Sequence, residues 1–224
     1  MVILIECFKI LGRFYAHMSS LIHFFTSGGI FMIPMVVCSV VGLAIIIERT
    51  VALRRAKVIS SSLLAAAQSF QAGDDVQRLY GQCAGDGSVL GRVIQTALSH
   101  LDSPKSDTLD AIQVRARAEA VQLERGLVTL EIIVGIGPLL GLLGTVSGLI
   151  RVFSVFGNGG ESISEAVGIA KGISEALNMT VAGLIVAIPC LVIHAYYTSR
   201  VEHYMTEMEG VCLDLVAKLY KHRA

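Results

Sequence analysis

The stretch GISEALNMTVAGLIVAIPCLVIHAYY, residues 172–197, is almost wholly apolar and carries one acid, Glu175, near its start. Two further apolar runs cover residues 28–47 and 132–150. Each run has about 20 residues, the length that an α-helix needs to cross a hydrocarbon core of about 30 Å. The 224-residue chain is 54% hydrophobic and 16% charged, whereas a soluble domain carries about 25% charge. We therefore predict an all-α integral membrane protein with three transmembrane helices, because three buried helices of this kind in a soluble protein would need a larger polar shell.

The three runs divide the chain into seven segments. We predict transmembrane helices at residues 28–47, 132–150 and 175–197. An amphipathic outer segment at residues 1–27 precedes the first helix, and a cytoplasmic helical loop at residues 48–131 follows it. A short outer loop with the start of the third helix occupies residues 151–174, and a cytoplasmic helical tail occupies residues 198–224.

The loop and the tail are predicted to be helical. Apolar residues recur at helical spacing from Leu109 to Leu130 and again from Val201 to Leu219. We expect the first membrane helix to continue to about Gly73, and the helix that contains Leu130 to run directly into the second span. The three membrane helices would thus extend into a cytoplasmic helical bundle.

The distribution of basic residues predicts the orientation. Cytoplasmic flanks of membrane helices carry an excess of Lys and Arg. Four basic residues flank the spans on the N-terminal side, namely Lys9, Arg13, Arg151 and Lys171, against eight on the other side, namely Arg49, Arg54, Arg55, Lys57, Arg115, Arg117, Arg125 and Arg200. We therefore expect an external N-terminus and a cytoplasmic loop and C-terminus.

Several classes of function find no support in the sequence. The formal net charge is zero, so a nucleic-acid partner is not indicated. The five cysteines are scattered without a CxxC pair, and the six histidines show no metal-ligand spacing. No nucleophile–base pair is recognisable, so we predict neither a metal, nor a cofactor, nor enzymatic activity.

The second span carries a stripe of glycines. Gly137, Gly141, Gly144 and Gly148 fall within an arc of about 60° on a helix. A bare stripe of this kind lets another helix approach closely. Pro138 removes a backbone amide and is expected to bend the helix.

The third span has small and polar residues of its own. Gly183 belongs to a face of small residues, and Pro189 is a second candidate for a kink. Thr180 and, on the second span, Thr145 lie at similar depths, about 8 Å from the outer ends of antiparallel helices. They either line one polar path, or each hydroxyl bonds to a carbonyl of its own helix.

Glu175 permits two interpretations. It marks the outer boundary and pairs with Lys171 one turn away, or the helix begins near Ile163 and Glu175 lies inside the membrane. An acid inside the membrane is costly and usually belongs to a proton or ion site. On an ideal helix Thr180 lies about 140° from Glu175, so a straight helix cannot direct both side chains at one point.

Two motifs resemble the MotA/TolQ/ExbB proton-channel family, and ExbB most closely. They are PLLGLLGTVSG at residues 138–148 and GISEALNMTVAGLIVAIP at residues 172–189. The resemblance covers about 60 residues on the second and third spans, and the predicted topology agrees with it.

The resemblance implies a homopentamer in the inner membrane, surrounded by lipid. Its pore would enclose single membrane helices of an ExbD- or TolR-like partner, and proton flow would drive a TonB- or TolA-like protein. By resemblance, Glu175, Thr145 and Thr180 form the proton pathway, while the glycine and alanine faces pack the subunits of the ring. The alternative is a non-conducting membrane scaffold that recruits a partner through its cytoplasmic helices.

Overall fold

Every regular element in the described part of the chain is helical. The computed structural model describes residues 30–71, 75–156 and 163–221. The helices are α1 (Met32–Ala52), α2 (Arg55–Val58), α3 (Ser61–Ser69), α4 (Val76–Asp86), α5 (Val89–Ser99), α6 (Lys105–Glu124), α7 (Leu127–Phe156) and α8 (Ile163–Lys221). The amphipathic segment predicted at residues 1–27 lies outside the described residues.

Three of these helices are long and apolar enough to cross a membrane. The apolar stretches of sufficient length lie within Met32–Ala52 in α1, Leu127–Ser154 in α7 and Val167–Lys221 in α8. Their outward-facing side chains are largely aliphatic, such as Ile33, Leu139 and Leu177, which are at least 60% exposed in the isolated chain. The prediction of an all-α membrane protein with three membrane-length helices is confirmed.

The chain forms two compact units, to which α1, α7 and α8 all contribute. One unit, here the membrane unit, contains the described residues up to Ile46 together with Thr129–His194. The other, here the helical unit, contains Ile47–Val128 and the residues from Ala195 onward. In the membrane unit, Met32 and Met35 of α1 are buried against Met179 and Ala182 of α8.

The expected continuation of α1 to about Gly73 is wrong. The helix ends at Ala52, Arg54 has an extended backbone, and two short helices follow. The change of direction leaves Leu53, Val58 and Ile59 at most 2% exposed. Burial of these side chains in the helical unit outweighs the local helical propensity of the segment.

The helix that contains Leu130 does run directly into the second span, as α7, but the expected unbroken helix from Leu109 onward is wrong, because the chain breaks between α6 and α7. Gly126 has φ +94°, a conformation that disfavours every residue except glycine. Arg49 fills the space beside this glycine, and its Nη1 donates to the Leu123 carbonyl at 3.2 Å. Arg49 thus caps the C-terminal end of α6, where free carbonyls and the helix dipole both favour a cation.

A buried carboxylate joins α5 to α6. The Glu119 side chain is 2% exposed and accepts hydrogen bonds from Arg92 Nε and Arg115 Nη2, both at 2.8 Å, and a second one from Arg92 Nη2. The hydrogen bonds from Arg92 are the main cause that lowers the pKa of Glu119, and burial opposes them. The charged carboxylate is therefore the form that stabilises the helical unit.

Replacing Glu119 by glutamine should lower the free energy of unfolding by about 3 kcal/mol at pH 7, because two arginines lose their counter-ion. Since the pKa is lowered in the folded state, this stabilisation is present above the ordinary glutamate pKa of about 4.3 and is lost as the pH falls through the lowered value. Denaturant titrations followed by circular dichroism should show the variant's deficit at pH 7 and a smaller deficit near pH 3. Glu124→Gln, an exposed residue of the same helix, is the control, and an equal deficit at both pH values would contradict the assignment.

Candidate functional site

The glycine stripe of α7 is in direct backbone contact with α8 of the same chain. A Cβ atom added to Gly141 would lie 2.9 Å from the Met179 carbonyl oxygen, and one added to Gly183 would lie 2.6 Å from the Gly137 carbonyl oxygen. A Cβ atom added to Gly144 would lie 2.9 Å from a side-chain carbon of Met179, and one added to Gly148 would lie 2.9 Å from the Cβ of Ala176. The stripe therefore packs against a helix of the same chain, whereas the family resemblance implied that it packs neighbouring subunits.

The two prolines lie inside continuous helices. Pro138 is in α7 and Pro189 is in α8, and each helix continues on both sides of its proline. Directly after Pro189, the Cys190 thiol lies against Gly42 of α1, 3.1 Å from the position of an added Cβ atom. The side of α8 that carries Met179, Ala182 and Cys190 is thus the side that meets α1.

Glu175 lines a small cavity on this α1 side of the membrane unit. The cavity has a volume of about 60 Å³, and three polar residues of α7 and α8 line it together with apolar residues, including the two that precede α1. Its lining includes Ile30, Phe31, Ser147, Arg151, Val152 and Glu175. Glu175 is half-buried, and α8 begins at Ile163, so the acid lies well inside the helix.

The charges around Glu175 are not arranged as the boundary interpretation expected. In the described ranges, no ion pair within 4.0 Å joins Glu175 to Lys171 or to Arg151. Lys171 is exposed, whereas Arg151 shares the cavity with the acid.

The two threonines lie on the opposite side of the α7–α8 contact. On α8, Thr180 lies about 140° round the helix from Glu175. On α7, Thr145 lies about 140° round the helix from Leu140, which packs on the buried cluster formed by α1 and α8. The Thr180 Cα lies 3.0 Å from the position of a Cβ atom added to Gly141, and Gly141 is one helical turn from Thr145 on α7. Within one chain the structure therefore brings the threonines to a common flank and separates them from Glu175.

The Thr145 hydroxyl donates to the Leu142 carbonyl of its own helix at 2.7 Å. This is the second of the two interpretations that the sequence left open for this residue. The bond satisfies the hydroxyl donor and leaves the oxygen able to accept. Neither threonine is among the residues that line the cavity of Glu175.

Arg151 and Ser147 are members of the cavity that sequence reasoning missed. From the sequence, Arg151 is interpreted only as a basic residue that flanks the second span. The usable signal was their spacing, because residues four apart project from the same face of a helix. That spacing could not identify the partner face, which depends on how α7, α8 and α1 pack.

Comparisons with known proteins agree with this architecture. Residues 86–210 match the model of the MotA/TolQ/ExbB proton channel family. A putative biopolymer transport protein ExbB-like 1 of Synechocystis is 32% identical over 198 residues, which are 85% of this chain and 76% of the relative. The Tol-Pal system protein TolQ of Pseudomonas aeruginosa is 29% identical over 187 residues, covering 76% of this chain and 78% of the relative. A putative biopolymer transport protein ExbB homolog of Methanothermobacter thermautotrophicus is 28% identical over 194 residues, covering 85% of this chain and 67% of the relative.

Proposed function

Because the chain belongs to the MotA/TolQ/ExbB proton channel family, we propose that it is the proton-conducting stator subunit of an energy-transducing complex in the inner membrane. It couples the proton motive force to work at a distance, either outer-membrane transport or envelope maintenance. The relatives carry names of both the ExbB and the TolQ type.

The observation that carries the proposal is an acid inside a membrane helix beside a small cavity that also holds a serine and an arginine. Glu175 lines this cavity together with Ser147 and Arg151, between helices that are otherwise apolar. Ionisable groups at such positions are costly and characteristically belong to proton or ion pathways. One proton moving down about 100 mV releases roughly 2.3 kcal/mol, so several protons are needed for each mechanical step.

The proposed assembly is a homopentamer around one-span helices of an ExbD- or TolR-like partner, which passes force to a TonB- or TolA-like protein. The N-terminus lies outside and the C-terminus in the cytoplasm. The threonine flank supports a contact beyond the single chain, because its neighbours Leu142 and Leu177 are 56% and 60% exposed. In this arrangement the flank with Thr145 and Thr180 faces another helix of the assembly, and the polar path is completed between subunits and partner.

Proton flux into liposomes tests the proposal. With a membrane potential of about 100 mV, vesicles containing this chain and a co-purified one-span partner should acidify at least about tenfold faster than protein-free vesicles. The readout is an internal pH-sensitive dye, with valinomycin and potassium setting the potential. Vesicles with the chain alone show how far flux depends on the partner. Acidification no faster than in empty vesicles, with the complex intact, would favour the non-conducting scaffold instead.

A further inference from the structure

The helical unit contains a second polar cleft, unrelated to the cavity of Glu175. Its volume is about 290 Å³, and one wall is α8 while the other is the start of α2. It is lined by two arginines, two tyrosines, a serine and a histidine, namely Arg55, Tyr196, Ser199, Arg200, His203 and Tyr204. The proposed function assigns no role to these residues.

Arg200 is held in place within this cleft by two tyrosines. Its Nε donates to the Tyr204 hydroxyl at 2.8 Å and its Nη1 to the Tyr196 hydroxyl, and its guanidinium lies 5.5 and 5.8 Å from the centroids of the same two rings. No carboxylate lies within 4.0 Å of Arg200 in the described part of the chain, and its Nη2 donates to no protein acceptor there. The guanidinium is thus oriented, charged and available to an anion.

Arg55 adds a second cation at the mouth of the cleft. Its side chain is 59% exposed, and Nη2 bonds Glu207 Oε1 at 2.7 Å. Glu207 does not line the cleft. With two guanidiniums against one carboxylate, the cleft carries a net positive charge.

The position of the cleft along α8 bears on the nature of the anion. Arg200 follows Tyr197, the last residue of the apolar run, by three residues, or about 5 Å along the helix axis. Tyrosines are enriched where a membrane helix reaches the lipid headgroups. A cation at this level lies within reach of the lipid phosphates, and basic residues close to the membrane surface are attracted to anionic lipids.

We propose that this cleft binds the phosphate group of an anionic phospholipid. The Nη2 group of Arg200 and the guanidinium of Arg55 pair with the phosphate oxygens through charge-assisted hydrogen bonds, which are among the strong ones. The Ser199 hydroxyl supplies a further donor. A soluble phosphate ester has the same chemistry, and the test separates the two sources.

Native mass spectrometry of the full-length protein in detergent tests this proposal. The protein is mixed with equal amounts of phosphatidylglycerol and phosphatidylcholine of identical acyl chains, with and without 20 mM inorganic phosphate. The wild type should retain phosphatidylglycerol preferentially, and Arg200→Gln and Arg55→Gln should each reduce that preference about fivefold. Arg54→Gln removes the same charge from the adjacent exposed residue, which does not line the cleft, and should leave the preference unchanged.

Three results would overturn the proposal. They are the absence of a preference in the wild type, an equal loss in Arg54→Gln, and a preference that survives in both cleft variants. Abolition of the preference by 20 mM inorganic phosphate would overturn the lipid assignment in favour of a soluble phosphate. Arg55 is largely exposed, so its variant tests the cleft even where Arg200→Gln fails to fold.

Discussion

Replacing Glu175 by glutamine should reduce partner-dependent proton flux at least about 100-fold, which is the lower range for removing a group that transfers protons. The amide has nearly the same size as the carboxyl group but neither takes up nor releases a proton. Because Glu175 is half-buried beside a small cavity, glutamine can occupy the same space, and the complex should still assemble. Flux is measured in liposomes with the one-span partner, and assembly by size-exclusion chromatography of the complex.

The matched control for this variant is Glu202→Gln. Glu202 lies on the same helix, α8, but is exposed in the helical unit. Its replacement removes the same charge and should leave the flux within about twofold of the wild type, as expected for an exposed acid outside the proton pathway. Undiminished flux in an assembled Glu175→Gln complex would eliminate Glu175 as a proton carrier.

Replacing Gly183 by alanine should lower the stability of the membrane unit by about 3 kcal/mol, the upper part of the range for overpacking. The added methyl group would lie 2.6 Å from the Gly137 carbonyl oxygen and 3.4 Å from the Gly141 Cα. These are backbone atoms of α7, which cannot rotate away as a flexible side chain would. The two helices must separate along the stripe, and separation forfeits the close contacts on which helix association in lipid depends.

Gly135→Ala provides the comparison for this substitution. Gly135 lies on α7 in the same unit, and an added Cβ there meets nothing within 4 Å. Alanine at this position should be neutral or stabilising by up to about 1 kcal/mol, because alanine is the better helix former. Thermal unfolding in detergent, followed by circular dichroism, distinguishes the two variants. Equal transition temperatures for Gly183→Ala and the wild type would show that the contact between α7 and α8 is looser than described.

The sequence was sufficient for features that depend on local pattern. Three apolar runs of membrane length predict the three long helices, since the α-helix is the structure that satisfies all backbone hydrogen bonds within a single segment in lipid. The spacing of Gly137, Gly141, Gly144 and Gly148 identified the face of α7 that approaches another helix, because the angle between residues is fixed by helix geometry. It did not show that the other helix is α8 of the same chain.

Features that depend on distant contacts were not predictable from pattern. The end of α1 is set by burial of Leu53, which leaves no helix-breaking signature in the sequence. Gly126 is a local signal for the end of α6, but its contact with the distant Arg49 is not readable from pattern. The angle between Glu175 and Thr180 could be calculated, but the side on which α1 packs could not. That side decides that Glu175 shares its cavity with Arg151 and not with the threonines.

The cleft around Arg200 illustrates the same limit. Arg55 and Arg200 are 145 positions apart in the chain, and each alone reads as an ordinary basic residue at the end of a membrane helix. Only the turn of the chain after α1, which sequence pattern did not predict, brings Arg55 to the wall of a cleft on α8. Tyr196 and Tyr204 then orient Arg200 from the same helix.

The contact of Arg49 with Gly126 has an evolutionary consequence. An alanine at residue 126 would meet both an unfavourable backbone conformation and the Arg49 side chain, 3.1 Å from its methyl group. A shorter residue at position 49 would remove the steric conflict but would leave the end of α6 without its cation. The two positions should therefore change together among homologous chains or not at all, and lineages that have lost the glycine should also have lost the arginine.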